Sequence, residues 1–332
     1  DGSDFVTAPE LTPLFGETLA KQVAQALDAT GTDEIWEFGA GTGALAEQLM
    51  RALGDRIKRY TIVDLSGSLR DRQHQRMIKN LPELAHKVVW ADSLPEQFNG
   101  VVVGNEVLDA MPVKLLFWTG QEWLERGVGL TPHDAAEAPA FIWLDKPAAP
   151  GSRPPSEYAD SDFAPDTVVE THAPAEAFVA TLAQRMGTGA AFFLDYGFPE
   201  GEFYLPQRRG GTLMCHQGHQ SDPDPLSAVG EKDITAHVNF TGIALAGQEA
   251  GWQVLGYTSQ GRFLSNCGLL DSLAHSPDRL DSPQATDFKT RAAVQMLITE
   301  HEMGELFKVI GFVKGPWFDA MGFAQGDRTH ML

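Results

Sequence analysis

Gly39, Gly41 and Gly43 stand at alternate positions directly after the short run Glu34-Ile35-Trp36-Glu37-Phe38, and Ala44 to Leu53 follows with Leu45, Leu49 and Leu53 at helical spacing. Glycines so placed let the backbone turn sharply and approach a ligand without Cβ clashes. The helix behind them offers free N–H groups. Strand, glycine loop and helix form the first unit of a doubly wound sheet. Asp64 ends the next run, Tyr60-Thr61-Ile62-Val63, 21 residues beyond Gly43. A carboxylate at that place accepts hydrogen bonds from both hydroxyls of a ribose. Loop and acid together predict a pocket for a nucleoside.

The spacing here is G-x-G-x-G, whereas a dinucleotide site prefers G-x-G-x-x-G, whose third glycine admits close packing under a pyrophosphate. Glu37 lies inside the strand end just before the loop, where its charge opposes a pyrophosphate and suits an ammonium, directly or through water. S-adenosylmethionine carries ribose, adenine and an ammonium but no phosphate, so it fits Glu37 and Asp64 better than NAD does. Asp92 and Ser93, after the third predicted strand, then fall near the adenine amino group. The plainer alternative makes Glu37 and Asp92 solvated strand-end acids. An NAD-dependent oxidoreductase is disfavoured by Glu37 and the glycine spacing.

The elements that must position these residues alternate. A helix is predicted from Leu14 to Ala29, with Gly31 as its stop. The second strand, Tyr60 to Val63, is followed by a helix from about Ser68 to Leu81. A third strand runs from Lys87 to Trp90 and a fourth from Gly100 to Val103. The expected fold class is α/β, a class I Rossmann-like domain with a doubly wound, mainly parallel sheet. The rhythm breaks between Met111 and Glu170, where Leu115–Trp118, Glu122–Val128 and Phe141–Leu144 read as antiparallel strands. Residues 133–170 hold eight acids, two bases and six prolines, the composition of an exposed loop. Rhythm returns with a helix at Ala175–Arg185 and a strand at Ala190–Leu194. After it come a loop-rich lid over 198–232, a helix from Ile234 to Gly251 and a strand from Trp252 to Tyr257. Two helical stretches fill an insertion at 259–302, and Phe307–Val313 closes the sheet. The expected division is a cofactor-binding half at 1–110, an insertion at 111–170 and the rest of the domain at 171–332.

The chain has 332 residues, 43% of them apolar, with 25 Lys and Arg against 45 Asp and Glu, a net charge of −20. That length and apolar share support a large core and exclude a disordered chain. The charge repels phosphate backbones and anionic lipids, so no nucleic acid and no membrane insertion is expected. No apolar run is long enough to span a bilayer. Two distant cysteines, Cys215 and Cys267, argue against a disulfide framework and for a reducing compartment. That compartment is the bacterial cytoplasm, or the mitochondrial matrix if a presequence has been removed. The chain opens without an initiator Met, which reads as a trimmed start. The sequence carries no signal for oligomeric state.

Several blocks resemble one known family. Asp4-Phe5-Val6-Thr7-Ala8-Pro9-Glu10, with Leu14-Phe15-Gly16-Glu17, is similar to the N-terminal signature of the MidA-type S-adenosylmethionine-dependent methyltransferases. Agreement continues through Glu37 to Gly43, Ile62-Val63-Asp64-Leu65-Ser66 with Leu69-Arg70, Gly104 to Val113, Asp195-Tyr196-Gly197, Asp233 to Phe240 and Met303 to Val309. Nearly the whole chain is covered. The family includes the mitochondrial complex I assembly factor that methylates an arginine. The resemblance implies S-adenosylmethionine as cofactor, a protein partner presenting an arginine, and a pocket that Thr7, Pro9 and Glu10 join. Leu65, Asn105 and Glu106 are counted with that pocket. Asn239 stands where many relatives are expected to have Asp, and the family's further N-terminal stretch is absent; either departure would weaken substrate binding.

An arginine nucleophile is the hard case, because its guanidinium stays protonated in water. Carboxylates must orient it and help remove a proton. Glu106 and Asp109 follow the fourth strand and share a face if the segment is a helical turn. Alternatively Asp109 caps a following helix, or Pro112 sets a turn that needs these neighbours. Asp195 and Tyr196 end the fifth strand, where Tyr196 would line the substrate channel and Asp195 orient it, or the two form a buried hydrogen-bonded pair. Cys215, His216 and His219 form a C-H-x-x-H cluster without the fourth ligand that a structural zinc needs, so a lid loop is the better reading and no metal is expected. His237, beside Val238 and Phe240, is a weak catalytic candidate and more ordinarily a core histidine. The rival function is a non-catalytic, cofactor-binding assembly chaperone of a respiratory complex; Glu37, Asp64 and Glu106 favour the enzyme, because a chaperone needs none of them.

Overall fold

A computed structural model describes residues 7–131, 140–218, 220–274 and 285–332. Asp4, Phe5 and Val6 of the N-terminal block, His219 of the C-H-x-x-H cluster, residues 132–139 of the expected acidic loop and 275–284 of the helical insertion lie outside them.

The chain begins with helices α1 (Ala8–Leu11) and α2 (Leu14–Thr30), followed by strand β1 (Glu34–Phe38), α3 (Ala44–Leu53), β2 (Arg59–Val63) and α4 (Gly67–Asn80). Next come β3 (Val88–Ala91) and β4 (Phe98–Asn105), then four strands, β5 (Lys114–Trp118), β6 (Trp123–Leu130), β7 (Phe141–Pro147) and β8 (Thr167–Thr171). They lead to α5 (Ala173–Arg185), the long strand β9 (Met186–Phe198), the short α6 (Glu200–Phe203) and the strands β10 (Met214–Gln217), β11 (Gln220–Asp222), β12 (Asp233–Thr235) and β13 (Val238–Asn239). The remainder is α7 (Phe240–Glu249), β14 (Gln253–Ser259), α8 (Gln260–Asn266), α9 (Leu269–Ala274), α10 (Ala285–Ile298), α11 (Met303–Leu306) and β15 (Phe307–Lys314).

By contacts the chain divides into two compact units. The larger holds residues 7–107, 179–196 and 244–332 among those described. Its sheet runs in the order β14-β15-β9-β4-β1-β2-β3. Strands β1, β2, β3, β4 and β9 pair in parallel, while β15 is antiparallel to both β9 and β14. The chain winds outward from β1 through β2 to β3, then crosses to β4 on the other side of β1. In such sheets the reversal point is where ligands bind, at the carboxyl ends of the strands. This is the expected class I Rossmann-like architecture. Helix α2 buries Phe15, Leu19, Val23 and Ala26 completely in the core, and Gly31 ends it in the left-handed conformation, φ 65°. The helix also meets a distant segment. Gln22 Oε1 accepts the N–H of Gly322 at 2.8 Å, and Gln25 bonds Met321 N and Asp319 O at 2.9 Å each.

The smaller unit holds residues 108–178 and 197–243 among those described. It carries an antiparallel sheet ordered β7-β6-β5-β8 and a three-stranded sheet ordered β11-β10-β12. Its core is aromatic, with Trp118, Trp123, Phe163, Phe203 and Tyr204 buried beside Leu116 and Val169.

Three expectations need correction. No helix starts at Ile234: Asp233–Thr235 pairs with β10, and Asn239 Oδ1 accepts the N–H groups of Thr241 and Gly242 at 3.1 and 3.3 Å, so α7 begins at Phe240. The amide caps as well as the expected Asp would. The described residues of the loop-rich stretch 198–232 also form α6, β10 and β11, elements the lid reading did not name. Among the described residues, 259–302 carry three helices, α8, α9 and α10, where two were expected.

Candidate active site

Parallel strands put the ends of β1, β2, β3, β4 and β9 along one edge of the larger unit's sheet. Gly39, Gly41 and Gly43 all adopt left-handed backbone, with φ of 66°, 51° and 80°, so each position needs glycine. Gly39 needs it twice over, since a Cβ there would lie 2.5 Å from Val107 Cγ2. The first helical turn is stitched to this loop. Thr42 donates its hydroxyl to Glu10 Oε1 at 2.9 Å, and Gln48 Nε2 donates to Pro9 O at 2.6 Å while its Oε1 accepts from Gly16 N at 2.9 Å. Thr7 precedes α1 and is half-buried, and Pro9 is buried.

Glu37 is 1% exposed and accepts the Tyr60 hydroxyl at 2.8 Å. Burial pushes its carboxyl up to about 8; the Tyr60 bond pulls the other way and the Asp64 carboxylate adds to the rise. Tyr60 is in turn pushed well above its ordinary range by burial and by Glu37. Asp64 is half-buried at the tip of β2, and its Oδ1 accepts from Ser66 N and its Oδ2 from Gln73 Nε2, each at 2.9 Å. Leu65, next to it, is 83% exposed, an apolar surface at the strand tip suited to a nucleobase. Asp92 pairs with Arg70 at 2.6 Å, and Arg70 also donates to the backbone carbonyls of Asp64 and Ala91. Arg70 therefore ties the tips of β2 and β3 together. Ser93 is exposed beside Asp92.

At the end of β4, Asn105 is buried, its amide nitrogen donates to Glu106 Oε1 at 2.9 Å, and its Oδ1 has no hydrogen-bond partner among the described residues. Glu106 has φ 54°, a conformation that a non-glycine side chain adopts at a cost. It is held there by its own N–H on Leu194 O at 2.9 Å and by Val107 N–H on Asp195 Oδ2 at 3.1 Å. Asp195 is 1% exposed and also accepts Tyr196 N–H at 3.0 Å. The Tyr196 ring packs against Phe307 with centroids 3.8 Å apart.

Asp109 and His237 belong to the smaller unit. Residues 106–112 form bends and a turn leading straight to β5, which removes both the shared helical face and the helix-capping alternative. Asp109 is buried, and its carbonyl accepts the N–H of Ala236 at 3.0 Å, next to His237. The His237 ring stacks on Phe198 at 5.3 Å, and the Arg208 guanidinium lies 4.5 Å from the same Phe198 ring. Cys215 is buried on β10, and no cluster of metal-ligating side chains occurs among the described residues.

Sequence reasoning missed Tyr60, Gln73, Trp90 and Arg70 as parts of this edge. Gln73 was legible as the one polar residue on the stripe Leu69, Gln73, Met77 of α4, where Gln73 and Met77 are buried.

The residues at this edge suit S-adenosylmethionine. Asp64 offers a carboxylate to a ribose, Leu65 an apolar face, the left-handed glycines a close backbone, and Asn105 a buried acceptor. Comparison with known proteins agrees. A family model described as "Putative S-adenosyl-L-methionine-dependent methyltransferase" matches residues 18–258. The mouse mitochondrial protein arginine methyltransferase NDUFAF7 is 28% identical over 92% of this chain and 73% of its own length. Its Drosophila melanogaster homolog is 27% identical over 94% and 75%. A COG1565 superfamily methyl transferase from Burkholderia thailandensis, bound to S-adenosyl-homocysteine, superposes with a TM-score of 0.90 at 50% identity, over 100% of this chain and 84% of that one. The glycine loop, the acid at the tip of β2 and these matches together make the chain a member of this family of S-adenosylmethionine-dependent methyltransferases.

Proposed function

We propose that this methyltransferase acts on an arginine side chain of a protein partner and that Glu106 is its proton-accepting residue. The observation that carries the reading is the backbone of Glu106, held at φ 54° beside the cofactor edge by Leu194 O and, through Val107, by Asp195. Strain of that kind persists where the surroundings over-determine it, and it concentrates at functional sites. The cofactor supplies an electrophilic methyl group on a sulfonium, ready for in-line displacement. The protein must align the acceptor nitrogen and take one proton from it as the new bond forms. In this reading Asp64, Leu65, Asp92, Ser93 and Asn105 hold the nucleoside. Glu37 and the glycine loop hold the amino-acid end, with Thr7, Pro9 and Glu10 closing over it. The Glu106 carboxylate takes the proton. Asp195 positions Glu106, and Tyr196 lines the path of the acceptor. Support for the arginine comes from relatives named arginine methyltransferases at 25–28% identity and from a chain charge of −20, which favours a basic partner. By the same family resemblance the partner is a respiratory complex I subunit. The two cysteines, both free and buried, suit a reducing compartment, bacterial cytoplasm or mitochondrial matrix.

The test is methyl transfer to arginine-containing peptides, followed by mass spectrometry, alongside calorimetry with S-adenosylhomocysteine. Glu106→Gln is expected to keep S-adenosylhomocysteine affinity within about twofold and to lose at least about 100-fold in turnover, the range of general-base effects. Wild-type turnover in that variant would remove Glu106 from the reaction. Intact cofactor binding with no methylated arginine in any acceptor would favour a binding scaffold instead.

A further inference from the structure

Gln73 is completely buried in α4. Its amide nitrogen donates to Gly41 O and to Asp64 Oδ2, both at 2.9 Å, and its Oε1 accepts from Trp90 Nε1 at 2.8 Å. An indole N–H is a donor only, so it dictates which end of the amide faces it. The NH2 group must then face the glycine loop and the acid. One side chain thus joins the loop after β1, the tip of β2 and the strand β3. Packing reinforces the link: a Cβ on Gly43 would lie 3.3 Å from Gln73 Cγ.

The consequence falls on Asp64. Each carboxylate oxygen has about two acceptor positions. Ser66 N–H takes one on Oδ1, and Gln73 takes one on Oδ2. We propose that Gln73 is a positioning residue that shapes Asp64 into a receptor for a vicinal diol, leaving one acceptor on each oxygen for the two adjacent hydroxyls of the cofactor's ribose. This rests on the reading of Asp64 as the ribose acceptor. Gln73 does not meet the nucleoside; it sets the direction and the number of lone pairs that do. With its donor removed, Asp64 Oδ2 is free to turn, and the carboxylate loses its selectivity for two hydroxyls over one.

Calorimetry with S-adenosylhomocysteine and its 2′-deoxy analogue reads this directly. Wild type should prefer the diol by about tenfold or more, the worth of a hydrogen bond to a charged group. Gln73→Met keeps the shape and removes both donors. It should weaken S-adenosylhomocysteine binding by about tenfold and reduce the preference for the diol to less than about threefold. Gln73→Glu, which keeps the Trp90 bond but sets a second carboxylate against Asp64, should bind more weakly still. If Gln73→Met fails to fold, as judged by its melting curve, Trp90→Phe frees the same amide and should also lower the ratio. Weaker binding of both ligands with an unchanged ratio would overturn the proposal and leave Gln73 a packing residue. Failure of the underlying reading looks different: Asp64→Ala would then bind S-adenosylhomocysteine as tightly as wild type does.

Discussion

The glycine-loop edge of the larger unit and the Glu170–His172 region of the smaller one both gather polar side chains, but to opposite ends. At the loop, Ser66 N–H and Gln73 bond the half-buried Asp64 carboxylate, Trp90 holds Gln73, and Arg70 bonds the Asp64 backbone carbonyl, all next to the exposed Leu65. At the second region the polar groups are shut in. Glu170 is 1% exposed, and its Oε1 accepts the N–H groups of Thr212 and Leu213 at 2.7 and 2.9 Å. Its Oε2 and both ring nitrogens of His172 have no hydrogen-bond partner among the described residues. Burial raises the Glu170 carboxyl despite those two bonds, and burial together with His237 lowers His172 to about 4. The first arrangement spends its hydrogen bonds on presenting a group to a ligand. The second spends them on fastening residues 211–213, and each unpartnered buried atom opposes folding by about 1–3 kcal/mol.

Substitutions should separate the two. Asp64→Ala is expected to lower S-adenosylhomocysteine affinity by more than about 100-fold, through the loss of two charge-assisted bonds, with only a modest change in the melting of the free protein. Unchanged affinity in calorimetry would end the assignment. Glu170→Ala should do the reverse, lowering stability by about 3 kcal/mol, because two buried N–H groups lose their acceptor, and leaving S-adenosylhomocysteine affinity nearly intact. Urea unfolding measures this, and Glu170→Gln, which keeps the acceptor, should recover most of the loss.

Glu37 sharpens the contrast, since it is a buried acid in the otherwise open region. As pH rises past 4.5 the unfolded chain gives up this proton, while the folded protein keeps it until about 8. Folding therefore binds a proton in that window, and the ligand-free protein loses stability as pH climbs through it. Between pH 6 and 8 wild type should lose about 2 kcal/mol relative to Glu37→Gln; parallel pH profiles for the two proteins would refute the shift. The smallest effect belongs to Glu106→Gly, which relieves the left-handed strain and should gain at most about 1 kcal/mol in stability while losing turnover. A destabilised variant would mean that the side chain, not the backbone, dominates at this position.

How legible these features were depends on how local their causes are. The loop glycines, Asp64 and the alternation of β1 to β4 are set by residues within a few turns of chain, and the structure follows them closely. Gln73 escaped notice because its meaning lies in three partners, 9, 17 and 32 residues away. The strands β10, β11 and β12 are short, polar and paired across a long excursion, so periodicity had little to detect. For Asp109 the helical turn did not form, and the chain follows the alternative turn before Pro112, which a shared helical spacing could not reveal. Nothing in the local pattern marked Glu170, whose partners are 42 and 43 residues further on.

The contacts between α2 and residues 319–322 bear on how the protein is made. Gln22 and Gln25 bond to backbone about 300 positions later, so the first long helix cannot complete its polar partnerships until the ribosome has delivered almost everything described here. Contacts of such sequence separation slow folding, because the intervening chain must be gathered first. Translation outlasts most elementary folding steps, so α2 has time to pack on its near neighbour α3 before these last polar contacts form. The segment 319–322 therefore acts as a late seal on the first long helix, which gains its last polar partners only when that backbone reaches Gln22 and Gln25.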